Sequence, residues 1–201
     1  MVNIVLILFV IDANDETIAA ISAAKVRPSN PFGNNDIIVG YAWSDFSKTG
    51  NKIAAQMPGN TITNGIKHKV NILQYRRKNL DIKNKLDEAN KLLELCKQYN
   101  TLFIINDDIN LCQKVGADGI HIGQSDINAR LAREILGKKH IIGVTCHDSN
   151  ELAIDAENNS ADYVALGAIF KSTNKPNAIH CPLSKITNIK KDISIPVVGI
   201  G

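Results

Sequence analysis

Beyond residue 70, clusters of polar side chains recur, each directly after a short apolar or β-branched run. They are Gln74, Arg76 and Lys78; Asn106 and Asp107; Gln124 and Asp126; Thr145 and His147; and Ser172, Thr173, Asn174 and Lys175. Asp107 and Asp126 carry hard oxygen donors, which suit Mg²⁺, a cation that keeps several waters and is commonly shared with substrate phosphates. Arg76, Lys78 and Lys175 would neutralise the same phosphates, the arginine as a planar fork and the lysines as point charges. A cationic rim around an acidic pair points to a metal-bound diphosphate.

Each cluster also has a plainer explanation. Asp126 precedes a helical pattern, where N-capping alone accounts for an aspartate. Asp107 and Asp108 read as turn formers. Arg76, Arg77 and Lys78 read as a solvated charge run, His147 as a loop histidine, and residues 172–175 as a polar loop. Such coincidence at five successive strand ends is less economical than one shared site.

The elements that position these residues alternate in type. Residues 70–76, 101–106, 119–123, 140–146, 163–170 and 196–200 read as strands, several of them apolar almost throughout, as in parallel strands covered on both faces. Between them, Leu86, Ala89, Leu92, Leu93 and Cys96 recur at helical spacing. Ser125 or Asp126 precedes the set Ile127, Leu131 and Ile135; Asp148 with Glu151 fits a capping box; Pro182 suits a first helical turn. Such βαβα alternation closes into a barrel or lies open as a doubly wound sheet. No G-x-G-x-x-G follows the first strand, and polar residues collect at the ends of many strands, so the expected fold is an α/β barrel of the (β/α)8 TIM type.

The start of the chain is less regular. Residues 2–11 and 36–43 read as strands, Asn14 and Ser44 as caps of helices running to Lys25 and Met57, and residues 28–35 and 58–65 as Pro-, Gly- and Asn-rich loops. One domain spanning 1–201 is expected, atypical over 1–69 and regular over 70–201.

The 201 residues include 44% hydrophobic and 21% charged ones, the make-up of a single globular domain. A net charge of +3, evenly spread, argues against nucleic acid as the main partner and leaves small anionic molecules. Cys96, Cys112, Cys146 and Cys181 are widely spaced without a C-x-x-C pair, as free thiols of a reducing cytoplasm would be. The apolar run 2–11 is too short to span a bilayer and lacks a basic leader, so no membrane partner is expected.

The ordered motifs resemble the thiamine phosphate synthase family, which shares a superfamily with thiazole tautomerases. Leu73-Gln74-Tyr75-Arg76-Arg77-Lys78 is similar to its V-Q-L-R-E-K segment, and Ile104 to Asp107 to its I-I-N-D strand end. Gly116 to Asp126 follows its G-A-D-G-V-H-L-G-Q-x-D segment nearly residue for residue. Ile142 to His147, Ala161 to Phe170 and Ile195 to Gly201 resemble I-G-V-S-x-H, A-D-Y-V-G-x-G-P-I-F and I-P-V-V-A-I-G-G. The resemblance covers residues 70–201.

It implies a transferase of thiamine biosynthesis, which joins a hydroxymethylpyrimidine diphosphate to a thiazole phosphate with Mg²⁺. The diphosphate leaves to give a pyrimidine-methyl cation, and the thiazole nitrogen attacks it. It further implies that Gln74, Tyr75, Arg76, Arg77, Lys78 and Asn106 hold the pyrimidine diphosphate, with Asp107 and Asp126 on Mg²⁺. Thr145 and Lys175 would face the diphosphate, Ser172, Thr173 and Asn174 the thiazole phosphate, and Gly201 would begin a second phosphate-binding turn. Arg76, Lys78, Thr145 and Lys175 are the implied catalytic groups.

Departures from the family pattern concentrate in residues 171–175, which lose a proline and a threonine of P-T-x-T-K. The sequence also stops at Gly201, before the family's last βα unit. The expectation is a truncated barrel; the alternative is that residues 36–43 supply an eighth strand. A tautomerase using His147 as acid and base is the nearest rival activity. It would need neither the acidic pair nor the set Gln74, Arg76 and Lys78. An inactive homologue is the other alternative.

Overall fold

Val, Ile and Leu crowd the short runs of this sequence, and each run becomes a parallel strand with both faces covered. The computed structural model describes residues 8–12, 37–43, 72–77, 81–169 and 180–200, the first two segments as backbone. Strands β3 (Ile72–Arg76), β4 (Leu102–Asn106), β5 (Gly119–Ile122), β6 (Ile141–His147), β7 (Tyr163–Gly167) and β8 (Val197–Ile200) pair in chain order as a curled parallel sheet. Helices α1 (Ile82–Tyr99), α2 (Ile109–Val115), α3 (Ala129–Leu136), α4 (Asn150–Asn158) and α5 (Leu183–Asp192) fill the connections from β3 onward. The fold class is α/β, as the alternation predicts.

Two further strands, β1 (Leu8–Asp12) and β2 (Ile37–Trp43), lie parallel to the rest. β1 pairs with β3 and with β2, and β2 pairs with β8, so the strand order runs β1-β2-β8-β7-β6-β5-β4-β3. Residues 36–43 were the alternative source of an eighth strand, and residues 37–43 form the strand β2. The helices expected after Asn14 and Ser44 fall outside the described residues.

The pleat divides the core in two. Leu73, Phe103, Ile105, Ile120, Ile122, Ile142, Val144, Val164 and Leu166 pack outward against Ala89, Leu93, Leu111, Ala132, Ala153 and Ile186 of the helices. Ile72, Ile104, Tyr163, Ala165 and Val198 form a separate cluster on the opposite, concave face. Residues of that second parity are the ones the sheet's curvature brings together.

Local signals fix the helix ends, at positions slightly different from those expected. The cap of α3 is Asn128, which accepts from Leu131 N, rather than Ser125 or Asp126. Ser149, not Asp148, caps α4 by accepting from Leu152 N, and Asp148 pairs instead with Lys185 at 2.6 Å. Pro182 precedes α5 in extended conformation. Asp108 caps α2 through Leu111 N, and Gly116 ends that helix at φ 69°, a left-handed conformation natural to glycine. No helix among the described residues is long and apolar enough to cross a membrane. All four cysteines are buried free thiols.

Candidate active site

Parallel strands deliver their carboxyl ends to one side of the sheet, and short βα junctions there carry most of the expected residues. On β3 the pleat alternates: Gln74 has the concave-face parity and is 2% exposed, whereas Tyr75 belongs to the outer core. Tyr75 donates its hydroxyl to Glu88 of α1 at 2.8 Å, and Arg77 reaches the same carboxylate at 3.4 Å. Burial and the Glu88 carboxylate push the Tyr75 phenol upward. Tyr75 and Arg77 are therefore drawn to the helix rather than gathered with Gln74; residues adjacent in sequence point to opposite faces of a strand.

After β4, Asp107 adopts φ 65° and its N–H donates to His121 O at 2.9 Å. Left-handed backbone at a non-glycine residue is costly and collects at functional sites; Asp and Asn tolerate it best. Capping of α2 falls to Asp108, which leaves the Asp107 carboxylate clear of that duty. After β5, Asp126 Oδ2 accepts from Gly123 N at 2.7 Å, closing the turn. With Asn128 capping α3, helix capping does not account for Asp126. The two aspartates thus follow neighbouring strands, Asp107 after β4 and Asp126 after β5.

After β6 the register against β7 shifts between Thr145 and His147, an irregularity of the kind that re-aims side chains. His147 is exposed, at φ 54°. Gln124 crosses from the β5 junction to donate to Thr145 O at 2.6 Å. Three neighbouring strand ends are thereby tied together.

Beneath them lies a polar layer that sequence reasoning missed. His121 Nε2 is 2.8 Å from Thr145 Oγ1, and its Nδ1 is 2.8 Å from the Tyr163 hydroxyl. The two rings stack with centroids 5.5 Å apart and planes 28° apart. The Nε2 of Gln74 is buried without a partner of its own at normal hydrogen-bond geometry. Room for the Tyr163 ring comes from Gly143, where any Cβ would collide with it. Burial pushes the His121 imidazole down to about 4, against a weaker upward pull from Asp126, and raises the Tyr163 phenol. Both positions lie inside runs that read as strands; their parity, shared with Gln74, was the available signal.

Of the expected site residues, Gln74, Asn106, Asp107, Asp126 and Thr145 fall on strand ends or the concave face, with Arg76 ending β3. Lys78, Ser172, Thr173, Asn174, Lys175 and Gly201 lie outside the described residues. Among the described residues, no group of three or more His, Cys, Asp or Glu forms a metal cluster. Two carboxylates at the ends of neighbouring strands, offering oxygen alone, fit a cation that takes few protein ligands and keeps its waters, as Mg²⁺ does. It does not fit zinc, which takes three or four ligands, usually with nitrogen or sulfur among them.

Known proteins resemble this chain in sequence and in fold. The family described as Thiamine monophosphate synthase matches residues 49–201. The chain is 45% identical over 130 residues to the thiamine-phosphate synthase of Thioalkalivibrio sulfidiphilus, covering 65% of this chain and 62% of that one. It is 40% identical over 143 residues to that of Nitrosococcus oceani, covering 71% and 66%. The chain thus spans just under two thirds of the length of these relatives. A solved thiamine phosphate pyrophosphorylase from Pyrococcus furiosus superposes with a TM-score of 0.61 at 30% identity, over 68% of this chain and 64% of that one. Matched over most of its length by the family's own pattern, the chain belongs to the thiamine monophosphate synthase family.

Proposed function

We propose that this chain is a thiamine-phosphate synthase, a cytoplasmic transferase that joins hydroxymethylpyrimidine diphosphate to thiazole phosphate and releases diphosphate. In this reading the eight-strand ring is a (β/α)8 barrel of TIM type with its mouth at the carboxyl ends of the strands. The observation that carries it is the family match over residues 49–201, and it is supported by Asp107 and Asp126 each following one of two neighbouring strands, β4 and β5.

Asp107 and Asp126 would hold Mg²⁺, which supplies positive charge to the departing diphosphate. Arg76, Lys78 and Lys175 would add positive charge toward the same oxygens, and Thr145 would offer a hydroxyl. Gln74 and Asn106 bring amide groups to the pyrimidine end of the site, while Ser172, Thr173, Asn174 and Gly201 serve the thiazole phosphate. Bond breaking builds negative charge on the diphosphate and positive charge on the pyrimidine-methyl carbon. Preorganised cations and donors at the leaving oxygens therefore lower the barrier without a general base. The thiazole nitrogen supplies the electron pair that completes the new C–N bond.

The decisive experiment incubates the chain with both substrates and Mg²⁺ and assays thiamine phosphate and diphosphate. Both products are expected to appear together and to require the metal. A folded chain that yields neither would sink the reading.

A further inference from the structure

We infer that Gln124 is a positioning residue: its amide reaches from the turn that carries Asp126 to the end of β6 and fixes how that carboxylate stands relative to the Thr145 hydroxyl. The inference rests on the synthase reading for what the two groups share, a diphosphate with its Mg²⁺.

The place where β5 and β6 part carries the argument. The two strands pair residue for residue as far as Ile122 and Val144; β6 then runs on to His147, while the chain after β5 turns away. The turn over residues 123–126 is closed twice within itself. Asp126 N donates to Gly123 O at 3.3 Å, and Gly123 N donates to Asp126 Oδ2 at 2.7 Å. Both bonds shape the turn without fixing it against the next strand. Gln124 supplies that link. Its Nε2 donates to Thr145 O at 2.6 Å, one residue past the last paired position, so a side chain takes the carbonyl where the backbone ladder between the two strands has stopped. Only the nitrogen of an amide side chain can donate to a carbonyl, so the chemistry fixes which way this bond runs.

Thr145 is held from its other sides by different means. Val144 and Cys146, on either side of it, are anchored in the outer core, and its Oγ1 lies 2.8 Å from His121 Nε2. Against β7 the register slips directly after it. Gln124 itself is exposed, so no core packing demands an amide there. An exposed hydrogen bond adds little to folding, and its loss should therefore show in the site rather than in stability.

The test uses the full chain and Gln124→Met, which keeps the length of the side chain and loses the donor. Calorimetry with inorganic diphosphate and Mg²⁺ should show binding weakened about fivefold, the worth of one hydrogen bond, at an unchanged melting temperature. Ser125→Ala, the next residue in the same turn, should bind as the unchanged chain does. In a Thr145→Val background Gln124→Met should cost much less, because its effect passes through the threonine hydroxyl. Fully additive losses, or an equal loss in Ser125→Ala, would overturn the inference. A second readout needs no ligand. With threonine methyl groups labelled with ¹³C, the signal that Thr145→Val removes should move in Gln124→Met and stay in place in Ser125→Ala; a signal unmoved by Gln124→Met also sinks the inference. If it moves as expected while the unchanged chain binds no diphosphate, the synthase reading fails and the tie between turn and strand stands.

Discussion

The two ends of the strands use the same residue types in opposite ways. At the amino ends, charged groups bond to backbone. Arg133 donates to the carbonyls of Gly137, His140 and Ser160 and to Asp162. Asp162 also accepts from Ile142 N at 2.7 Å, and Asp118 accepts from Phe103 N at 2.7 Å. Glu157 takes Ser194 N and Ile195 N, and Lys190 reaches the carbonyls of Ile193, Ser194 and Ile195. In Asp118 and Asp162 the device repeats: an aspartate entering one strand receives an amide of the preceding strand. At the carboxyl ends, Asp107 and His147 sit in left-handed backbone and Gln74 keeps an orphan amide nitrogen. Left-handed backbone does not by itself separate the ends, since Asn100 and Ser160 adopt it where helices end before a strand; what sets the amino ends apart is that their charged groups are consumed internally as a frame.

If that division is right, substitutions should separate by end. The largest effect is expected for Asp107→Asn, which keeps a residue suited to φ 65° while losing the charge. Synthase activity should fall by on the order of 10² to 10³, with the melting temperature nearly unchanged. A variant that loses stability instead would erase the contrast. Next comes acid. The unfolded His121 side chain takes a proton near its ordinary 6.5 and the folded one only near 4. In that window the unfolded chain binds more protons, so stability falls as pH falls, by up to about 3 kcal/mol. Urea unfolding from pH 7 to 4 checks this, and His121→Gln should lose that part of the slope.

Arg133→Met keeps the aliphatic stem and removes the donors. It should cost about 2 kcal/mol of stability, read by chemical denaturation, with activity of the folded fraction intact. Loss of activity without loss of stability there would break the comparison from the other side. The smallest effect is expected for Asn128→Ala, about 1 kcal/mol, because it removes only the α3 cap. The same measurement checks that α3 starts at Asn128 and that Asp126 is spared for the site.

Much of this was readable before any coordinates. The parallel strands stand within a few residues of their expected places, since a run of buried β-branched residues between helical patterns has few other solutions. Asp107 and Asp126 were visible as polar residues directly after such runs, and the structure places them after β4 and β5 as expected. What escaped the sequence is what depends on direction. Tyr75 and Arg77 sit between Gln74 and Lys78 in the chain, yet the pleat sends both to Glu88. His121 and Tyr163 meet across the concave face from strands that are not neighbours, which no local pattern reports. Helix starts slipped by one to three residues, because Ser125, Asp126 and Asn128 are all competent caps and only packing chooses among them. The place of β2 depends on residues 37–40 finding residues 197–200, a pairing with no local signal.

The vacancy at Gly143 has a consequence for how this sequence can drift. The Tyr163 ring occupies the volume of the missing side chain, so Gly143→Ala meets the ring head-on while Tyr163 remains. Shrinking Tyr163 first would open a void and strand His121. The two positions are genetically locked: neither can change alone without loss, and a double replacement must arrive in one step or pass through a damaged intermediate. A paired library at 143 and 163, selected for thiamine prototrophy, should return the parental combination or joint replacements, and rarely a single one.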